Sequence, residues 1–285
     1  MKRLIALTGL ILIMLSGCAK APQAQVAATT LPVYDFTVRL CRGTDISVTR
    51  LVTEEVSCLH DYSLSVRQVK AVEGADTVIL SGAGLEDFME DVLSEAGHVT
   101  DASRGIDLIG YDEEHHDHHH DADPHIWLAP ENAKVMAMNI CNALENQYPQ
   151  HRDTLQGNLA TLLKELDALL VYGEKQLSGL SCRDLITFHD GFAYFAEAFD
   201  LTILEAVEEE SGSEASAAEL KRLINTVREH KLKAVFTERS GSVSAANVIA
   251  AETGINIYVL DMAMSGDSYF EAMYHNIDII KEALG

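Results

Sequence analysis

The sequence predicts an α/β protein: two parallel-sheet βα domains joined by one long rigid linker helix. Three observations lead there. Short apolar runs alternate with helical periods through the first half of the chain, the pattern of βα units whose helices cover a parallel sheet. The same alternation restarts after residue 180. Between the two stands a comb of leucines, Leu155, Leu159, Leu162, Leu163, Leu166, Leu169 and Leu170, at helical spacing. One helix over His151–Gln176 would span about 40 Å, enough to run along both domains. A chain of 285 residues has room for two domains of ordinary size. The expected division is 26–148, with a His-rich loop at 112–123, then a linker helix at 149–179, then 180–285.

In the first half, Val26–Thr30 reads as a strand, and Pro32 suits the first turn of a helix running to Leu40. Ile46–Val52 and Thr77–Ser81 read as strands. Gly82 and Gly84 then lead into a helix expected over Leu85–Ala96, and a short strand falls near Val99. Pro130–Gln147 has helical character. In the second half the expected strands are Asp184–Phe188, Leu201–Leu204, Ala234–Thr237 and Ile255–Leu260. The helices between and after them are Gly191–Phe199, Glu214–His230, Ser242–Glu252 and Tyr269–Leu284. No short-period repeat is present.

The N-terminus carries an address. Lys2 and Arg3 precede an apolar run, Leu4 to Leu15, shorter than the roughly 20 residues of a membrane span. It ends in Leu15-Ser16-Gly17-Cys18, which resembles a bacterial lipobox. Residues 1–17 are then a signal peptide, Cys18 the lipidated first residue, and 18–25 a polar tether. The protein is expected outside the cytoplasm, held on the membrane by acyl chains rather than spanning it. Loss of Lys2 and Arg3 takes the formal charge from −23 to −25. Such acidity repels nucleic acid, and no basic patch with interleaved aromatics is present. Cys41, Cys58, Cys141 and Cys182 remain, an even number that suits disulfides in an oxidising compartment. Cys41–Cys58 is the most local of the possible pairings. No CxxC spacing occurs.

His115, His116, His118, His119 and His120 put five of the twelve histidines within six positions, among carboxylates. Imidazole is the commonest metal ligand, and a dense His/Asp tract offers overlapping weak sites for metals such as zinc. In open α/β sheets ligands bind beyond the carboxyl ends of the strands. His189 follows the apolar run Leu185-Ile186-Thr187-Phe188, and Asp261 follows Ile257-Tyr258-Val259-Leu260. His125 follows the His-rich loop, and His60 comes after the second strand. Two come from each half. Three imidazoles and one carboxylate can make a closed tetrahedral zinc site, which places the expected metal site in the interdomain cleft. Glu238, also at a strand end, is the runner-up fourth ligand. Glu205–Glu214 reads as a solvated acidic loop. Phe192, Tyr194, Phe195 and Phe199 read as core, and His98, His151, His230 and His275 as surface residues.

These residues carry a resemblance. Asp123-Pro124-His125-Ile126-Trp127-Leu128 is similar to the Asp-Pro-His-x-Trp-Leu segment of the metal-binding receptors of bacterial ABC importers for zinc and manganese. Phe188-His189-Asp190-Gly191-Phe192-Ala193-Tyr194-Phe195 resembles that family's third-ligand segment. Phe236-Thr237-Glu238, Ile249-Ala250-Ala251-Glu252-Thr253-Gly254 and Leu260-Asp261 resemble its C-terminal pattern. Leu59-His60-Asp61-Tyr62 matches less tightly. The likeness covers essentially the whole mature chain. It implies that His60, His125, His189 and Asp261 are the ligands. It also implies a receptor that hands its ion to a permease driven by a cytosolic ATPase, and a monomer is expected. His rather than a carboxylate at position 189, with the His-rich loop, points to the zinc branch over the manganese one. Met262 stands where the family's Leu-Asp-Pro has its proline, which leaves the aim of Asp261 open.

A closed site leaves no position for an activated water, so no enzymatic activity is expected. The rival from another class is a surface zinc hydrolase with Glu238 or Asp190 as general base; the absence of His-Glu-x-x-His speaks against the commonest zinc peptidase plan. A zinc-buffering adhesin without a transporter is the third reading.

Overall fold

The computed structural model describes residues 24–56, 59, 62–110, 122–207 and 215–285. The signal peptide, Cys18, Cys58, His60 and the five clustered histidines lie outside the described residues, as do positions 208–214 of the acidic run.

The first half builds β1 (Val26–Ala28), α1 (Leu31–Leu40), β2 (Val48–Arg50), α2 (Val66–Gly74) and β3 (Thr77–Leu80). It continues with α3 (Glu90–Leu93), β4 (His98–Asp101) and α4 (Pro130–Gln147). Its strands pair in the order β2-β1-β3-β4, all parallel. Then comes α5 (Arg152–Leu177), the expected long helix. The second half builds β5 (Asp184–Thr187), α6 (Ala193–Ala198), β6 (Thr202–Ala206), α7 (Ala217–His230), β7 (Ala234–Glu238), α8 (Ser244–Thr253), β8 (Asn256–Leu260) and α9 (Tyr269–Leu284). Its order, β6-β5-β7-β8, all parallel, repeats the topology of the first sheet.

Three local departures have clear causes. The sequence-based reading placed no helix between residues 52 and 77. α2 forms there because Ser65 and Gln68 make a reciprocal capping box ahead of it. The helix expected over Leu85–Ala96 shrinks to a 3-10 turn, Asp87–Met89, followed by the single turn of α3. The Glu86 carboxylate accepts the Ser81 and Gly82 N–H groups at 2.7 and 3.0 Å, which pins the chain into a tight loop instead. α7 begins at Ala217 rather than Glu214 because Ser216 and Glu219 form a second capping box.

α5 buries Leu155, Leu159, Leu162, Leu166 and Leu169, the stripe its sequence spells out. It packs against α1 and α4 on one side and α9 on the other. A single apolar cluster therefore runs through both halves, from Phe36 and Trp127 through Leu162 and Leu166 to Phe195, Tyr269 and Met273. Smaller clusters fill the outer face of each sheet. Polar ties reinforce the shared core. Arg39 bridges Asp35 and Glu165 at 2.7 and 2.6 Å and stacks over the Phe270 ring at 4.4 Å. Asp35 also accepts the Tyr269 N–H at 3.1 Å.

Cys41, Cys141 and Cys182 are free thiols, and Cys58, the partner preferred for Cys41 from sequence, lies outside the described residues. Cys41 and Cys141 are buried in the shared core, where desolvation pushes each thiol up to about 12. No helix among the described residues is long and apolar enough to cross a membrane.

Candidate metal centre

β5 and β7 are neighbours whose connections leave in opposite directions, which opens a crevice at their carboxyl ends. His189 stands just beyond β5 and Glu238 closes β7. Both are buried, at 9% and 5% exposure. The corresponding crevice of the first sheet, between β1 and β3, is filled by the protein itself. There Glu86 accepts the Thr29 hydroxyl at 2.5 Å beside a Thr30–Ser81 hydroxyl pair. Burial raises its carboxyl to about 7 against the pull of these donors.

His125 reaches the second crevice from the first half. Asp123 holds it twice: its Oδ1 accepts the His125 backbone N–H at 2.9 Å and pairs with Nδ1 at 2.7 Å. That carboxylate assigns the proton to Nδ1 and turns the Nε2 lone pair outward. Nε2 then lies 3.3 Å from Nε2 of His189, with the rings edge to face. Glu238 is on the other side of His189, 3.9 Å from Nδ1. Gly191 makes the approach feasible. A Cβ there would sit 2.7 Å from His189 Cδ2, 2.7 Å from Met262 Cε and 2.9 Å from His125 Cε1.

The third arm is the loop after β8. Asn276, buried in α9, clamps the backbone of Asp261 by accepting its N–H at 2.8 Å and donating to its C=O at 2.7 Å. The side chain spends Oδ1 on the Ala263 N–H at 2.8 Å and Oδ2 on Arg239 Nη2 at 3.0 Å. Ala263 takes a left-handed φ of 55° in this turn. The Met262 carbonyl accepts Trp127 Nε1–H at 2.8 Å, and Tyr269 donates to the Trp127 carbonyl at 2.8 Å. The loop after β8 is thus tied to the segment that carries His125.

Of the sequence-predicted set, His125 and His189 meet. Glu238 stands behind His189, Asp261 faces Arg239, and His60 is outside the described residues. Among the described residues no three His, Cys, Asp or Glu side chains gather at metal-holding range. Asp190 is partly buried beside His189. Tyr194 and the neighbouring phenylalanines are core, as expected. Of the isolated histidines, His151 pairs with Asp45 at 2.7 Å and His230 with Asp184 at 3.2 Å. Sequence reasoning missed four supporting residues: Asp123, Tyr194 as a polar tie, Arg239 and Asn276. Asp123 had a signal, standing two residues before a candidate ligand. Asn276 had none, because only the packing of α9 brings it to Asp261.

Residues 26–283 match the family model described as ZnuA, zinc-uptake complex component A, periplasmic. The zinc-binding lipoprotein AdcA of Streptococcus pneumoniae serotype 4 is 27% identical over 98% of this chain. The chain spans only 60% of that relative's length. The high-affinity zinc uptake system protein ZnuA of Bacillus subtilis is 26% identical over 94% of this chain and 90% of its own. A crystal structure of ZnuA superposes with a TM-score of 0.80 at 30% identity, covering 92% of this chain and all of that one. With the model matched from β1 into the last turn of α9, the chain belongs to the family of the periplasmic zinc-uptake component ZnuA.

Proposed function

We propose that this chain is an extracytoplasmic receptor, anchored through Cys18, that captures zinc between its two halves and delivers it to an ABC importer permease. The ligands are His60, His125, His189 and Asp261, and the domains divide as 26–148, 149–179 and 180–285. One observation carries the reading: two buried imidazoles from opposite halves present Nε2 to Nε2 at 3.3 Å. A zinc ion about 2.0–2.1 Å from each of two nitrogens, at the tetrahedral angle, separates them by about 3.3 Å. The same distance also suits an N–H···N bond between the rings. The surrounding charge favours the cation. Asp123, Glu238 and Asp261 are buried at 1%, 5% and 6% exposure, and Arg239 pairs with Asp261 at 3.0 Å. Asp123 Oδ2 finds no hydrogen-bond donor there at all. Buried carboxylates need a compensating positive charge. Imidazole donors suit zinc better than the harder manganese ion. The zinc names of the relatives above support the same choice. The His-rich tract would serve as a weak collector.

The test is zinc titration of the metal-stripped chain beside His125→Ala and His189→Ala, with metal content confirmed by mass spectrometry. One tight site, lost or strongly weakened in both variants, is the expected result. Binding unchanged in either variant would remove the interdomain site.

A further inference from the structure

Asp261 is the one proposed ligand whose carboxylate is fully engaged by protein donors. Oδ1 accepts the Ala263 N–H, and Oδ2 faces Arg239 Nη2 at 3.0 Å. The Asp261 side chain is 8% exposed, whereas that of Arg239 is 52% exposed, so the guanidinium covers the carboxylate from the solvent side. Arg239 directly follows Glu238, the last residue of β7, and its N–H bonds to the Leu260 carbonyl at 3.2 Å. The strand pairing therefore fixes the guanidinium's origin next to the residue it holds.

We propose that Arg239 is a built-in competitor for the cation at Asp261. This rests on Asp261 being a ligand. A divalent ion near Oδ2 and the guanidinium want the same oxygen and repel each other across a few ångströms. Ion capture at Asp261 is therefore an exchange, in which the Arg239–Oδ2 bond breaks as the Oδ2–metal bond forms. On release, the guanidinium returns and takes back the carboxylate. The buried acid is never left uncompensated, which would be costly. Arg239 thereby lowers the affinity of the site and speeds its discharge. It acts through Asp261 and is a positioning residue, not a ligand.

The experiment compares zinc affinity, and the rate of zinc loss to a chelator, for the full chain, Arg239→Gln, Asp261→Asn and the double variant. Arg239→Gln is expected to bind roughly tenfold tighter and to release correspondingly more slowly. Arg239→Lys should fall between. In the Asp261→Asn background the Arg239 substitution should gain clearly less affinity than in the full chain, because competition for the oxygen is gone and only charge repulsion is left to relieve. Damage to the fold weakens binding, so a gain separates competition from a purely structural role. If Asp261→Asn weakens zinc binding but Arg239→Gln leaves it equal or weaker, the competitor is refuted while the ligand assignment stands. If Asp261→Asn changes nothing, the ligand assignment fails and the competitor with it.

Discussion

Tyr194 of α6 donates its phenol O–H to the backbone carbonyl of Asp123 across 2.9 Å, and accepts the Ile109 N–H at 3.0 Å. One side chain from the second half thus ties both feet of the segment that leaves at Gly110 and returns at Ala122. Those feet are closed by an antiparallel bridge and by Asp123 N–H to the Ile109 carbonyl at 2.9 Å. Burial pushes the phenol up to about 12, so it remains a donor at any working pH.

Tyr194→Phe removes that donor and acceptor while keeping the ring in the core. Two backbone groups then lose their partner, at a cost of about 1–3 kcal/mol each if they stay dry. Because Asp123 orients His125, zinc affinity should fall along with thermal stability. Calorimetric titration and a melting curve of the metal-free variant measure the two. Unchanged affinity in a destabilised protein would show that the tie supports the fold alone.

Glu86 sets a pH dependence of its own. The folded state holds its proton to about pH 7, whereas an ordinary glutamate near 4.5 has already released it. Between those values the unfolded chain binds fewer protons, so stability falls as pH rises. The loss is on the order of 3 kcal/mol across that window. Urea unfolding of metal-free protein at pH 5 and pH 7.5, beside Glu86→Gln, measures it. The variant should lose this component of the slope. An equal slope in both proteins would place the cause elsewhere.

Metal binding should change the molecule locally. The two halves share one apolar cluster, α5 packs on both, and Arg39 links α1 to α5 and to α9. Opening a hinge would expose packed core. Small-angle scattering curves with and without zinc are expected to superpose. A contraction of the particle on zinc addition would contradict the rigid linker.

Deleting residues 113–121 should abolish weak zinc equivalents and leave one tight site. The ligands proposed for that site lie outside the deleted run. Zinc titration of the deletion variant reads both classes at once. Loss of the tight site would mean that the His-rich run supplies ligands to it.

The repeated βα pattern and the leucine comb determined the fold class by themselves, because the period of apolar residues sets which face of each element is buried. Strand ends could be located for the same reason, and with them His189, Glu238 and Asp261. α2 escaped because its apolar face is small, although the Ser65–Gln68 capping box was legible. Only the tertiary structure decided which groups meet. His125 and His189 are distant in the chain, and their contact depends on Asp123 fixing one ring and Gly191 having no Cβ. Asp261 was legible as a candidate, but its aim was not. Its side chain is directed by a donor just past the end of the neighbouring strand β7, Arg239, and its backbone by a clamp from α9, Asn276. Side-chain direction at a cleft is settled by packing between elements, and local sequence patterns carry no record of that packing.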